Sequence, residues 1–157
     1  MTRSRRTLVF VAVASVLLGT GVIAKPAEAG FGKAGVVVVH GDGHTHTECV
    51  RLTKAEISGF KLLKLSSFEF RAARFDFGRG ICWIDGEGVA TTDPGTCFPS
   101  NGPNWAYFTQ DKGGSGPAPS EVGLDDRTVT RGAVDYWVFG TYPQPTPSKL
   151  TLRDICG

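Results

Sequence analysis

Four consecutive valines, Val36 to Val39, open the regular part of the chain and predict a strand, because β-branched side chains favour extended backbone. Gly41-Asp42-Gly43 reads as a hairpin turn, and Thr45 to Leu52 alternates well enough to be the partner strand. Thr53-Lys54-Ala55-Glu56 has capping-box spacing, and Ser58 offers a second helix start. Ile57, Phe60, Leu62, Leu63 and Leu65 then predict a helix of about two to three turns, with Lys61 and Lys64 toward water. Phe68, Phe70, Phe75 and Phe77 suggest an extended segment, which Gly78 and Gly80 break. Ile81-Cys82-Trp83-Ile84-Asp85-Gly86 predicts a short buried strand running into a tight turn.

Thr91 to Pro103 is rich in Pro, Gly, Thr and Ser and reads as a loop. Trp105 to Gln110 predicts a strand, and Lys112-Gly113-Gly114-Ser115-Gly116 a flexible tip. Pro117 and Pro119 argue against central-strand pairing beyond that tip. After a turn at Asp125-Asp126, Val134 to Phe139 predicts the last core strand. All three tryptophans, Trp83, Trp105 and Trp137, fall in these strands. There is no internal repeat. The expected fold is α+β, mainly antiparallel sheet with one short helix.

Residues 1–29 stand apart. Arg3, Arg5 and Arg6 precede an uncharged apolar run, and Ala27-Glu28-Ala29 fits a small-x-small cleavage site. This predicts a signal peptide and a secreted, extracellular chain beginning near Gly30. Ser4-Arg5-Arg6-Thr7 also fits a twin-arginine signal, so the export route stays open. An uncleaved membrane anchor is the alternative reading of the same run. The remaining chain divides into a domain over 30–142 and a Pro-rich tail over 143–157, marked by Pro143, Pro145 and Pro147. The whole chain carries a net charge of +2, but without residues 1–29 thirteen basic and fourteen acidic residues remain. The basic balance therefore belongs to the leader and does not argue for nucleic acid. Charge alone sets no partner class, and the expected state is a monomer free of the membrane once the leader is cleaved.

The four cysteines, Cys49, Cys82, Cys97 and Cys156, all lie beyond the leader. An even count in an exported chain argues for two disulfides, and spacing alone admits three pairings. The pairing expected is Cys82–Cys97, closing a local loop, with Cys49–Cys156 tying the last residues to an early strand.

The order of motifs carries a resemblance. Cys49 follows a valine-rich strand, then come Ser58-Gly59-Phe60-Lys61-Leu62-Leu63, Phe77-Gly78 and Ile81-Cys82-Trp83-Ile84-Asp85-Gly86. Cys97, Trp105-Ala106-Tyr107-Phe108, Val122-Gly123 and Gly132-Ala133-Val134-Asp135-Tyr136-Trp137-Val138-Phe139-Gly140 complete it. Over about residues 35–140 this resembles the transcobalamin carboxy-terminal-like domain of secreted bacterial proteins, of the soluble-ligand-binding β-grasp group. The resemblance implies a non-catalytic binding module for a small ligand such as a corrinoid, or for a surface polymer. A structural or protein-interaction domain without a small ligand is the alternative. Such domains offer apolar and backbone contacts, which Trp83, Trp105, Tyr107 and Trp137 could supply. Trp83 and Trp137 sit inside apolar runs and are expected in the core. Trp105 and Tyr107 admit two readings, core side chains or an aromatic shelf on an edge strand; the shelf, with the tip at Gly113 and Gly114, is the candidate ligand site.

Three further constellations stand out. His40, His44 and His46 lie within seven positions, and His44, His46 and Glu48 share a strand face. They could hold zinc or copper, but Asp42 is explained by turn chemistry, and a solvated hairpin face with no metal is expected. Residues 51–79 carry seven basic and three acidic side chains, suited to an anionic polymer or to a solvated helix face. No Gly-x-Ser-x-Gly motif, phosphate loop or nucleotide fingerprint occurs, so neither catalytic residues nor a cofactor are expected.

Overall fold

The computed structural model describes residues 30–157. The expected signal peptide lies outside the described residues. Ten strands and three short helices follow in order: β1 Lys33–Val39, β2 Thr45–Arg51, β3 Glu56–Ser58, α1 Gly59–Leu65, β4 Phe70–Phe75, β5 Gly78–Ile84 and β6 Glu87–Gly88. Then come α2 Pro94–Cys97, β7 Asn104–Gln110, β8 Ala118–Pro119, β9 Thr128–Thr130, β10 Val134–Gly140 and α3 Leu152–Cys156. The fold class is α+β and mostly sheet, as the sequence predicts.

The main sheet runs β2-β1-β10-β7-β8. Its centre is a parallel pair, β1 with β10, in the register Val37↔Tyr136. The other pairs are antiparallel: β1 with β2, β10 with β7, and β7 with β8. Both faces of the centre are covered, which is why Val36–Val38 and Val134–Val138 are buried without alternation. Val36, Val38, Trp105 and Trp137 face one core with Leu62, Leu63, Ile81 and Ile84. Val37, Val134, Tyr136 and Val138 face a second layer made by Leu150 and Ile155 of the C-terminal tail.

Helix α1 starts at Ser58, whose side chain accepts from the Lys61 amide at 3.2 Å. The earlier start at Thr53 is not used, because Glu56–Ser58 pairs with β9 instead. Two further helices were missed. Asp93 caps α2 with Pro94 in its first turn, and α3 has a Thr151/Asp154 capping box. Both signals are legible, but helices this short have too little periodicity to stand out.

The β4–β5–β6 sheet lies beside the main one. The break after β4 falls at Asp76-Phe77 rather than at Gly78 and Gly80, which both lie within β5. At Gly80 an added Cβ would overlap Phe98 and Phe75. Arg71 pairs with Trp83 but Ala72 with Ile81, leaving Cys82 as an extra residue in the ladder. That bulge resets the alternation, so Ile81 and Ile84 both reach the core while Trp83 is only half-buried. Trp83 is thus not the core residue that its apolar neighbours predict.

Both expected disulfides are present, Cys49–Cys156 and Cys82–Cys97, and none of the described cysteines is free. The first joins β2 to α3 and clamps the tail over the second face. Replacing Cys49 and Cys156 together by alanine is expected to cost about 2–5 kcal/mol, since the bond spans 107 residues and their loop closure would return to the unfolded chain. Urea denaturation of the double variant measures it. A loss below 1 kcal/mol would show that packing alone holds the tail.

Candidate functional site

A cavity of about 370 Å³ opens between the main sheet, the β4–β5 hairpin and the Ser120–Leu124 loop. Its floor is built by period-two alternation. Trp105 and Tyr107 on β7 and Trp137 on β10 point to the same face, and Tyr107 is the cross-strand partner of Trp137. The Tyr107 and Trp137 rings stack with centroids 5.1 Å apart, and Trp105 lies 5.0 Å from Phe139. The walls include Ile81, Leu124 and Arg79. The rim is apolar and exposed: Phe77 at 62%, Phe98 at 36% and Val122 at 48%. Phe75 sits between Phe77 and Phe98 in a stack of three rings, each spacing 4.9 Å. Arg79 is ion-paired with Asp125 and lies 4.2 Å over the Phe60 ring.

A charged network lies beside the floor, on the same sheet face. The Tyr107 hydroxyl donates to Asp135 Oδ2 at 2.5 Å, and Arg127 Nε donates to Asp135 Oδ1 at 3.3 Å. Arg127 Nη2 reaches Asp111 at 2.8 Å. Asp135 is fully buried, and burial raises its pKa to about 6, only partly offset by the Tyr107 hydroxyl and the Arg127 charge. Arg127 moves upward, its own desolvation outweighed by Asp135 and Asp111. Burial, then Asp135, pushes the Tyr107 phenol well up, so it remains a donor. Gly59 makes room for this network, since a Cβ there would overlap the Tyr107 hydroxyl. The Trp137 indole N–H is buried and has no partner among the described residues.

The structure places the expected shelf differently. Strand β7 is not an edge: β10 flanks it on one side, and β8 pairs with it at Phe108↔Pro119 and Thr109↔Ala118. Pro119 thus lies within a short pairing strand, tolerated because that strand is at the sheet edge. Trp105 is 8% exposed and donates from Nε1 to the Glu87 carbonyl at 3.3 Å, so its ring is cavity floor and core together. Gly113 and Gly114 are elsewhere. They line a second cavity with Lys112, Arg131 and Lys149, and the Lys149 ammonium holds the Gly114 carbonyl at 2.8 Å. Sequence reasoning missed Phe77, Phe98 and Val122, whose convergence comes from three separated segments.

The histidines do gather at the β1–β2 turn. Ring centroids lie 5.4 Å apart for His40 and His46, and 4.7 Å for His44 and His46. Glu48 is not with them, because Ser67 holds its carboxylate through both amide and hydroxyl at 2.7 Å. Glu87 joins instead, accepting from His40 Nδ1 at 2.8 Å. Among the described residues, no group of three or more His, Cys, Asp or Glu side chains is arranged to hold one metal ion. The basic segment 51–79 is dispersed over β2, α1, β4 and β5, with Arg79 neutralised by Asp125.

No protein-family model matches the chain, and no curated protein does. Among solved structures, the chain is similar to one from Ruminococcus gnavus described as a "putative metal binding protein", with a TM-score of 0.50 and 16% identity. The match covers 70% of this chain and 97% of the other. At that identity the likeness is one of fold.

Asp135 makes stability depend on pH. Its folded pKa of about 6 lies above the ordinary 3.8, so between those values the native state keeps a proton that the unfolded chain releases. Stability is therefore expected to fall as pH rises from about 4 to 6, by up to ~1.4 kcal/mol per unit, and to level off above. Asp154, held below the usual range by hydrogen bonds from Thr151, acts in the opposite sense only at lower pH. Urea denaturation at several pH values, repeated for Asp135→Asn, tests this. An unchanged slope in the variant would assign the pH dependence to other groups.

Proposed function

We propose that this domain is a non-catalytic extracellular binding module of β-grasp type, akin to the transcobalamin carboxy-terminal-like domain, and that it takes a small ligand in the aromatic cavity. The strand order supports the β-grasp reading. An N-terminal hairpin, β1–β2, is followed by helix α1, and the last long strand returns parallel to the first at the sheet centre. Export agrees with the leader-like residues 1–29 and with two disulfides, which persist in oxidising compartments.

One observation carries the ligand proposal. Of the five large hydrophobic side chains exposed among the described residues, three (Phe77, Phe98 and Val122) ring this one cavity. Exposed apolar side chains clustered at a concave aromatic site mark a place built to be covered. The volume of about 370 Å³ is at the lower end for small-molecule sites, so it fits one flat ring system or the edge of a larger ligand such as a corrinoid. Of the polar groups lining it, Arg79 is engaged with Asp125 and the Ser120 hydroxyl with the Val122 carbonyl, which leaves the Trp137 indole N–H and the Glu121 carboxylate, without partners among the described residues, to orient a ligand. That arrangement favours recognition over bond making.

A second reading concerns metal, as the description of the structural neighbour invites. The favouring observation is His40, whose Nδ1 donates to Glu87 and whose Nε2 is thereby the nitrogen free to ligate, beside the His46 ring. A buried core and two disulfides support the fold, so chelator is expected to leave the melting temperature unchanged. If the histidines bind zinc, added Zn²⁺ raises the melting temperature and His46→Ala abolishes the rise. No response to Zn²⁺ leaves them a solvated turn.

For the cavity, Phe77→Ala and Phe98→Ala are expected to leave the melting temperature nearly unchanged. Each should weaken binding of a corrinoid or of an aromatic ring compound by about fivefold, ~1 kcal/mol per ring. Trp105→Ala should instead destabilise the fold by about 3–5 kcal/mol, because its ring is core as well as floor. Absorbance titration and indole NMR shifts provide the readout. Binding that is unaffected by both rim variants would overturn the assignment.

A further inference from the structure

The glycine tip opens a different possibility on another face. The cavity lined by Gly113 and Gly114, of about 370 Å³, adjoins one of about 290 Å³, and the two share Arg131 and Leu152. Together their linings bring in Lys33, Arg51, Lys112, Arg131, Lys149 and Arg153, and no Asp or Glu. All six cations are exposed, and none takes part in an ion pair among the described residues. They come from five separate stretches of a chain that, beyond residue 29, is close to neutral.

Two features distinguish this face from scattered surface charge. The first is support. The Arg131 stem lies against Gly32, where an added Cβ would come within 2.6 Å of it, and the Lys112 stem lies within 2.9 Å of the corresponding point at Gly132. The Lys149 ammonium is fixed on the Gly114 carbonyl at 2.8 Å. The second is cost. Lys33 and Arg51 are directly opposed across the β1–β2 ladder, and like charges so placed destabilise a sheet. An anion lying between them relieves that repulsion.

We propose that this face binds an anionic polysaccharide, its carboxylate or sulfate groups recurring along the two cavities. The lining holds no aromatic ring on which a base could stack, so single-stranded nucleic acid lacks its usual platform. Its one large apolar side chain is Leu152, half-buried, which leaves little to insert into a bilayer. This site is independent of the aromatic cavity, and each can fail alone.

Binding of the folded full chain to heparin and to polygalacturonate tests the proposal, with dextran, oligothymidylate and phosphatidylglycerol vesicles as comparisons. Both polyanionic glycans should bind, with affinity falling steeply as sodium chloride is raised. Replacing Lys112, Arg131 and Lys149 together by glutamine should weaken binding at least tenfold. The matched triple change at Lys61, Lys64 and Arg71, equal in charge but elsewhere on the fold, should leave it nearly intact. Lys33→Gln should weaken glycan binding while raising the melting temperature, which separates a lost site from a lost fold. Equal effects of the two triple variants would reduce the effect to net charge and overturn the proposal. Tighter binding to oligothymidylate or to vesicles than to the glycans would overturn it as well.

Discussion

The parallel pairing of β1 with β10 is the constraint on which the rest depends. It places the first and last long strands side by side at the sheet centre, so the core cannot close until both ends of the chain are present. Because Val36–Val38 and Val134–Val138 are buried on both faces, each face needs its own cover. Helix α1 and the β4–β5 hairpin cover one, and the tail with Leu150 and Ile155 covers the other. The Cys49–Cys156 bond then ties that second cover to β2. The tail is thus a layer of the domain rather than an appendage.

The aromatic cavity follows from incomplete cover of the first face. The hairpin and the Ser120–Leu124 loop meet over Trp105, Tyr107 and Trp137 without filling the space between them. The floor is held at its side by Asp135, whose burial is tolerable because Tyr107 and Arg127 both bond it. Floor and core therefore overlap: Trp105 and Trp137 belong to the buried cluster, and Tyr107 packs against it. The network also holds the Tyr107 ring through its hydroxyl.

Charge is distributed by the sheet rather than by the sequence. The basic stretch 51–79 looks like one surface when read linearly, yet its side chains spread over several elements and Arg79 is neutralised. The six cations of the glycine-tip face come together only because β1, β2, the β7–β8 connection, the β9–β10 turn and the tail end at one side of the molecule. The histidine turn shows the same effect. Glu48 shares their strand parity but is taken by Ser67, while Glu87, far along the chain, bonds His40.

What the sequence determined by itself was local or combinatorially simple. The β-branched valines, the Gly41-Asp42-Gly43 turn, the Ser58 cap, the Asp85-Gly86 turn and the α+β class were all legible, because propensity and capping act within a few residues. The two disulfides were legible because four cysteines leave few pairings. Tertiary structure alone decided the rest. It decided that Trp83 turns outward through a bulge that no composition signals, and that β7 is paired on both sides. It decided that Trp105 and Tyr107 form a floor rather than an open shelf, with Gly113 and Gly114 on another face. These outcomes depend on which strand neighbours which and on what covers each face. Those are contacts between residues far apart in the chain, and linear pattern carries no term for them.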